Sequence, residues 1–431
     1  MSGRSEADLV IVGAGAAGLA AGLAARAGGL DVVIVEAAGR IGGRALTDKT
    51  GLPSGPYDIG CHWMHDASEN PLAALALSHR KALRNQPHPD GVPRWLAMRG
   101  AVMDAATRAD CAAYYLRCFT ALEEAGAAGA DRVGAEILDT SSPYYPLFRG
   151  WAGAIYSVPP ERISTGDIAR QMETPENWPL EHGYGAMIAE ILGDQPVTLD
   201  CPVRRIDRAG KHIRVETAQG TIEADDVILA VSSTVLAEGA IAIEPGLPAD
   251  VLSAIEAVPL GHAERVGIAL TERLDGIGDQ APGHILTRNG DQIGLMIHEF
   301  GRAELTGYLS GDLARDLGRA GKEAAFAFLR DALKEVFGAG IEKRITGWVA
   351  SQWSGDPLIR GAYSHAVPGR AHLRPRLAEP VEERLHLAGE ATHPTRFASA
   401  HGAYMSGLRA VGHVMARRNR TGLADRPVPG A

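Results

Sequence analysis

The hydrophobic pattern is clearest at the start of the chain. Leu9-Val10-Ile11-Val12 is a continuous apolar run, the pattern of a parallel strand covered on both faces. Gly13-Ala14-Gly15-Ala16-Ala17-Gly18 follows, and residues 19–27, rich in Ala and Leu, predict a helix. Gly28-Gly29 ends it, and Asp31-Val32-Val33-Ile34-Val35-Glu36 reads as a second strand, which completes one β-α-β unit. Residues 67–135 are alanine-rich and read as mostly helical, and 150–195 as loops and helices. Strands are predicted at 197–199, 203–206, 213–217, 220–223 and 226–231, with 266–270 and 293–298 in a different region. An amphipathic helix is predicted over 322–337, a short strand over 385–388 and a helix over 402–418. The end from Thr421, with Pro427, Pro429 and Gly430, reads as a disordered tail. No internal repeat or low-complexity linker interrupts the chain.

Composition narrows the class. At 431 residues the chain holds two or three domains, and 45% hydrophobic against 22% charged residues excludes wholesale disorder. The four cysteines (61, 111, 118 and 201) form no CxxC pair and the fifteen histidines no HExxH, so neither a disulfide framework nor a metal site is expected. The net charge of -9 and the lack of a basic tract argue against nucleic acid. A negative field attracts cations, although most proteins of this charge bind none. Only six of the 43 cationic residues are lysine. Residues 9–25, all apolar or glycine, superficially resemble a signal peptide, but their glycine spacing breaks a targeting helix. No other run reaches a membrane span's ~18–20 residues. A soluble, cytoplasmic monomer or homodimer is expected, with no membrane partner.

The glycine pattern gains meaning from its context. GxGxxG sits between a strand and a helix, and Glu36 ends the next strand, eighteen residues past Gly18. Gly13 permits the turn, Gly15 lets the backbone approach a pyrophosphate, and Gly18 lets helix and strand pack closely. The helix presents its positive end to phosphates, and Glu36 suits ribose hydroxyls while repelling a 2′-phosphate. Gly42-Gly43-Arg44 then places a planar fork within reach of a pyrophosphate, the alternative being a solvent-facing loop arginine.

With these residues in hand, the chain resembles the FAD-dependent amine oxidases, the family of monoamine and polyamine oxidases and flavin histone demethylases. Asp58-Ile59-Gly60-Cys61-His62-Trp63-Met64-His65-Asp66, followed by Asn70-Pro71-Leu72, is similar to a polyamine oxidase motif. Cys201-Pro202-Val203-Arg204-Arg205-Ile206 resembles the strand whose valine meets the adenine. Residues 353–369 resemble the segment entering the active site, and Gly389-Glu390-Ala391-Thr392-His393 with Ser399-Ala400-His401-Gly402-Ala403 the C-terminal flavin signature. The resemblance spans residues 9 to 410 and leans towards the polyamine oxidase branch. It implies an α/β fold: a Rossmann-like FAD-binding domain of glutathione-reductase type (5–78, 190–260 and 380–420), a discontinuous α+β substrate-binding domain (79–189 and 261–379) and a tail (421–431).

Carried over residue by residue, the resemblance puts Ala17, Glu36, Arg44, His62, Trp63, Val203, Glu390, Ser399 and Ala400 on FAD-contacting positions. Gly13, Gly15, Gly18, Gly43, Gly60, Trp353 and Gly389 belong to the same cofactor site. Ala362 falls where monoamine oxidases tether the flavin, which implies non-covalent FAD. Tyr363 falls on one wall of an aromatic cage and Ser399 on the other, so a two-sided cage is not expected. Arg265 stands where the family carries a lysine linked to oxygen reactivity. It reads either as drift in an arginine-rich chain or as altered chemistry, since arginine keeps the charge but is longer, planar and never neutral. Arg265, His65 and Tyr363 are the catalytic candidates.

The implied reaction oxidises a primary or secondary, polyamine-like amine to an imine by hydride transfer to flavin N5, with O2 or another acceptor regenerating the flavin. An apolar, aromatic pocket favours the neutral amine that the reaction needs, with Trp63, Trp353 and Tyr363 as candidate walls. His65 is placed either to bind the substrate nitrogen and help with its proton or to serve the structure alone. The alternatives are a flavoenzyme of the same fold acting on a non-amine substrate, such as a desaturase, and an FAD-binding protein impaired in catalysis.

Overall fold

In the computed structural model, which describes residues 5–84 and 93–421, the first apolar run becomes the strand next to one edge of a seven-stranded sheet. This strand, β1 (Glu6–Val12), pairs in parallel with β2 (Val32–Val35) on one side and with strand Gly220–Leu229 on the other. Strand Leu385–Leu387 joins Gly220–Leu229 in parallel, while Ile213–Thr217 and Val203–Asp207 extend the sheet antiparallel. Both faces are covered. Leu9 and Ile11 point into one apolar core with helix α1 (Ala16–Ala27) and the last helix, Ala400–Thr421; Val10 and Val12 point into a second. That double burial explains why the strand is apolar without alternation.

A second seven-stranded sheet runs in the order Ile345–Ala350, Ala263–Leu270, Glu304–Ser310, Gln292–Ile297, Ala281–Leu286, Trp95–Met98, Ala101–Val102. Helix Lys322–Phe337 buries Leu329 and Leu333 against one core of this sheet. Helices Ala105–Ala127 and Tyr145–Tyr156 bury Tyr115, Leu122 and Phe148 in another core, with Leu96 and Leu286 of the sheet.

Several local expectations change. Among the described residues of the stretch 67–135, α-helix covers Pro71–Ser78 and Ala105–Ala127, and a 3-10 turn starts at Gly134; Trp95–Met98 and Ala101–Val102 are strands, because Leu96 and Ala97 are fully buried beside Ala281–Leu286. Residues 197–199 form one bridge, Thr198 to Val35, rather than a strand. The predicted strands at 220–223 and 226–231 are one, Gly220–Leu229. The last helix runs through Thr421, and the rest of the predicted tail lies outside the described residues. Packing also crosses the expected domain borders. Tyr184, Met187 and Ile188 bury their side chains in the α1 core, and Ala366, Ala371 and Leu377 in the other core of the first sheet. Among the described residues no helix is long and apolar enough to cross a membrane, and no group of His, Cys, Asp and Glu is placed to hold a metal ion.

One buried ion pair ties these parts together. Arg374, fully buried, grips Asp167 with two bonds (Nε–Oδ1 3.0 Å, Nη2–Oδ2 2.8 Å) and donates to Ser364 Oγ at 2.9 Å and the Ala391 carbonyl at 3.1 Å. Its guanidinium lies 3.8 Å from the centre of the Phe397 ring. Removing one partner strands a buried charge. Arg374→Leu is therefore expected to cost about 3–5 kcal/mol in urea unfolding, with much of the loss recovered in Arg374→Leu/Asp167→Leu. Equal unfolding midpoints for Arg374→Leu and the parent would contradict this role.

Candidate active site

A single cavity of about 1010 Å³ is bounded by residues of both sheets and their loops. Its first arm begins at the β1–α1 turn. Gly13 has φ +102°, and a Cβ there would sit 2.7 Å from the Ala230 carbonyl oxygen. A Cβ on Gly18 would meet the Gly13 carbonyl oxygen at 1.9 Å, so both positions require glycine. Gly18 thus serves the packing and does not line the cavity, whereas Gly13, Gly15 and Ala17 do. Glu36 closes the far side, and its carboxylate accepts the Ala14 and Ala38 amides at 2.7 and 2.9 Å. Gly43, Arg44, Val203 and Gly389 complete the arm.

These residues fit a dinucleotide. Gly15 presents bare backbone, with only the Gly42 carbonyl oxygen, 4.0 Å away, near a Cβ placed there. The first turn of α1 adds its positive end. The Glu36 oxygens keep acceptor capacity beyond their two amides.

At the middle of the cavity Arg44 Nη1 donates to Glu390 Oε1 at 2.9 Å and to the Ala362 carbonyl. Glu390 also accepts the Ser364 hydroxyl at 2.7 Å and the Ala398 amide at 2.8 Å. Burial pushes the Glu390 carboxyl up, but Arg44 and Ser364 outweigh it and hold it below the ordinary range. Ser399 takes the Gly402 amide at 3.0 Å on its hydroxyl as the last helix begins, and Ala400 lines the cavity beside it.

The inner wall is a cluster of charges and rings. Arg265 and Tyr308 face each other across paired strands. The guanidinium lies 5.2 Å from the Tyr57 ring centre and 5.3 Å from that of Tyr308. Its Nη1 donates to the Gly60 carbonyl at 3.2 Å; Nε and Nη2 have no hydrogen-bond partner among the described residues and are buried among the rings. Next to it, His62 offers Nδ1 to Asp58 at 3.2 Å and Nε2 to Glu299 at 2.8 Å. Burial and the nearby Arg265 work against the imidazolium, yet Glu299 and Asp58 prevail and raise the His62 pKa above 6.5. Trp63 and Gly60 line the same wall. Trp353 is buried, with its amide donated to Glu264 at 3.0 Å, and Tyr363 gives its hydroxyl to the Ala154 carbonyl.

The outer end is lined by Phe119, Trp151 and Tyr156 with two carboxylates, Glu123 and Glu173. Both acids lie within electrostatic reach of Tyr156 and help raise its pKa, after burial. His65 lies on strand Trp63–His65, paired antiparallel with Asn177–Pro179.

Every site residue expected from the sequence except Gly18 thus borders this one cavity. The sequence reading missed Tyr308 of the inner wall, Tyr57 and Glu299 that pack against Arg265 and His62 without lining the cavity, and Glu123, Glu173 and Asn177 of the outer end. Tyr57 precedes the Asp58–Asp66 motif and carried a weak signal by adjacency. The others are isolated residues in segments without a motif.

Comparison with known proteins agrees with this geometry. The family model for flavin containing amine oxidoreductases matches residues 79–415, and that for an NAD(P)-binding Rossmann-like domain matches residues 11–77. Probable polyamine oxidase 4 of Arabidopsis thaliana is 26% identical over 440 residues, covering 94% of this chain and 86% of its own. Polyamine oxidase 1 of Oryza sativa subsp. japonica is 27% identical over 498 residues, covering 94% and 96%. A solved structure of putrescine oxidase bound to putrescine shares the fold, with TM-score 0.74 and 20% identity over 96% of this chain and all of that one. With a glycine-rich dinucleotide arm, an aromatic and acidic outer end, and a family match over most of its length, the chain belongs to the flavin containing amine oxidoreductases and is an FAD-dependent amine oxidoreductase.

Proposed function

We propose that this enzyme oxidises a primary or secondary amine carrying a second cationic group, a diamine or polyamine, and holds its FAD without a covalent bond. One observation carries the reading: a single cavity joins the dinucleotide turn and Glu36 to an outer end walled by aromatic rings and the carboxylates of Glu123 and Glu173. Carboxylates attract a distal ammonium, and the rings guide a cation inward before it is deprotonated. The polyamine oxidases among the relatives support the same substrate class.

Glu36, Gly15, the start of α1, Arg44 and Val203 would hold the dinucleotide. The chemistry supplied by FAD when bound is acceptance of a hydride equivalent from the carbon next to the amine nitrogen. Two cysteines border the cavity, Cys61 and Cys201, and burial pushes the Cys61 thiol far above its ordinary range, away from the nucleophilic thiolate. Ala362 offers no thiol at all. These features support non-covalent binding.

Arg265 contributes a permanent positive charge to the inner wall. Burial works against its charge, but Tyr57, Tyr308 and Glu299 favour it and the guanidinium stays protonated. It cannot exchange a proton as a lysine can. O2 or another acceptor completes the cycle, and Arg265 is the residue that sets which.

The reading is tested by incubating the purified protein with diamines, longer polyamines and monoamines and measuring aldehyde product. Turnover of the polycations above the monoamines is expected; turnover of monoamines alone would overturn the polycation assignment. Glu123→Gln should raise KM for a diamine about tenfold, the worth of one charge-assisted contact, and leave monoamine KM within about twofold. Equal effects on both amines would remove Glu123 from substrate recognition. Arg265→Lys should speed reoxidation of the reduced protein by O2 about tenfold, or about 1.4 kcal/mol in the barrier. An unchanged rate in stopped-flow mixing with air-saturated buffer would contradict the role given to Arg265.

A further inference from the structure

His62 meets a carboxylate at each ring nitrogen: Nδ1 faces Asp58 Oδ2 at 3.2 Å, and Nε2 faces Glu299 Oε1 at 2.8 Å. Asp58 is already crowded with donors. It takes the Thr47 hydroxyl at 2.5 Å and the Tyr184 and Gly185 amides at 3.0 and 3.3 Å, in the first turn of helix Tyr184–Leu192. A carboxylate at a helix N-terminus surrounded by donors accepts, so the hydrogen between Asp58 and His62 lies on Nδ1. At Nε2 the hydrogen belongs either to the ring or to Glu299. Burial works against the Glu299 charge, but His62 and Arg265 outweigh it and hold this carboxyl below its ordinary range. The second hydrogen therefore also lies on the ring. With both nitrogens engaged, His62 has no lone pair to act as a base and no free N–H to offer a ligand.

The charges are layered. His62 and Arg265 border the cavity, whereas Asp58 and Glu299 are buried and do not. The positive members thus face the cavity and the negative members are set back from it. The setting of Glu299 is rigid. Its flanking residue His298 accepts the Leu274 amide on Nε2 at 2.9 Å, and the other, Phe300, lies between the guanidinium groups of Arg84 and Arg302, 5.2 and 5.1 Å from its ring centre. The Arg302 amide closes the turn on the Glu299 carbonyl at 3.0 Å.

We propose that Asp58 and Glu299 hold His62 as an imidazolium facing the cavity, a second fixed cation beside Arg265 that favours the reduced flavin. This rests on the flavin-binding part of the reading above. A hydride equivalent brings two electrons and one proton, so the charge of the cofactor falls by one. A cation preset in a wall shielded from water favours that change without having to reorganise. Asp58 and Glu299 act through His62 and are positioning residues.

The groups facing His62 come from three elements: Asp58 from strand Tyr57–Asp58, Glu299 from its turn, and Arg265 from strand Ala263–Leu270. Glu304 of strand Glu304–Ser310 also feels the His62 charge. The rings of Trp63 and Phe300 lie edge-on to His62, 4.9 and 6.3 Å away. Burial and Arg265 oppose the imidazolium, and Glu299 and Asp58 prevail. Removing the Glu299 charge withdraws the larger support, so the His62 pKa falls and Nε2 is the nitrogen that loses its hydrogen.

Two readouts test the proposal, and neither needs an amine. The first is the pH titration of 15N-histidine-labelled protein, with the His62 signals assigned by their loss in His62→Asn and by their movement in Glu299→Gln. The parent is expected to carry hydrogen on both His62 nitrogens at about pH 8, well above the ordinary histidine pKa. Glu299→Gln should lower the His62 pKa by about one unit and leave the neutral ring protonated at Nδ1. The second is the midpoint potential of the bound flavin, measured against a reference dye. His62→Asn should lower the ratio of reduced to oxidised flavin at a fixed potential about tenfold, or about 30 mV for two electrons. Glu299→Gln should show a fall of the same sign that sets in at the pH where its ring loses the Nε2 hydrogen; it also supplies both readouts if His62→Asn does not fold. A parent ring with one protonated nitrogen at that pH, or potentials equal to the parent's in both variants, would overturn the proposal. A protein that takes up no flavin would instead overturn the cofactor reading, and the ring titration would still decide whether Asp58 and Glu299 hold an imidazolium.

Discussion

A guanidinium withdrawn from water must be compensated, and the inner wall of the cavity is arranged around that constraint. Arg265 belongs to the second sheet, and its compensation comes from the Tyr57 ring of the short strand Tyr57–Asp58, the Gly60 carbonyl just after it, and Tyr308 on the neighbouring strand. Glu299 and Asp58 supply negative charge and together hold His62. Glu299 lies in a turn where His298 and Phe300 have φ +56° and +55°, conformations that cost about 1–3 kcal/mol each. The cluster repays that strain by pairing charges that burial penalises. Because its members come from the second sheet and from the segment 57–62, it also fixes that segment against the sheet, and Gly60, His62, Arg265 and Tyr308 of the cluster border the cavity.

That cavity sorts charge along its length. The dinucleotide arm offers backbone amides and the end of a helix, suited to phosphate. The inner wall is cationic at Arg265, and the outer end is anionic at Glu123 and Glu173 with rings between. In the reading proposed above, a polycation would be drawn to the outer end, and burial among the rings would favour the neutral form of the amine that advances. In that reading electrostatics and desolvation work in the same direction.

The parts of this picture visible in the sequence are those with short-range signals. The β1–α1–β2 unit was legible because its run is apolar on both faces and its glycines mark the turn. The amphipathic pattern gave Lys322–Phe337 to the residue. The strands Trp95–Met98 and Ala101–Val102 were hidden because they are short and lie in an alanine-rich stretch whose local preference is helical. The cofactor arm was legible from motifs. Glu299 was not, since it meets His62 across 237 positions, and Glu173 reaches His65 only through the pairing of two three-residue strands. Local spacing carries no trace of such contacts, and folding alone brings them together.

The claim on which all of this depends is that one cavity brings a flavin and an amine together. It is tested most directly by recording the visible absorbance of the purified protein anaerobically while a diamine is added. The account predicts a bound-flavin spectrum that the diamine bleaches, and bleaching by a diamine more readily than by a monoamine of the same length. A flavin spectrum unmoved by every amine, or a protein that carries no flavin, would contradict it.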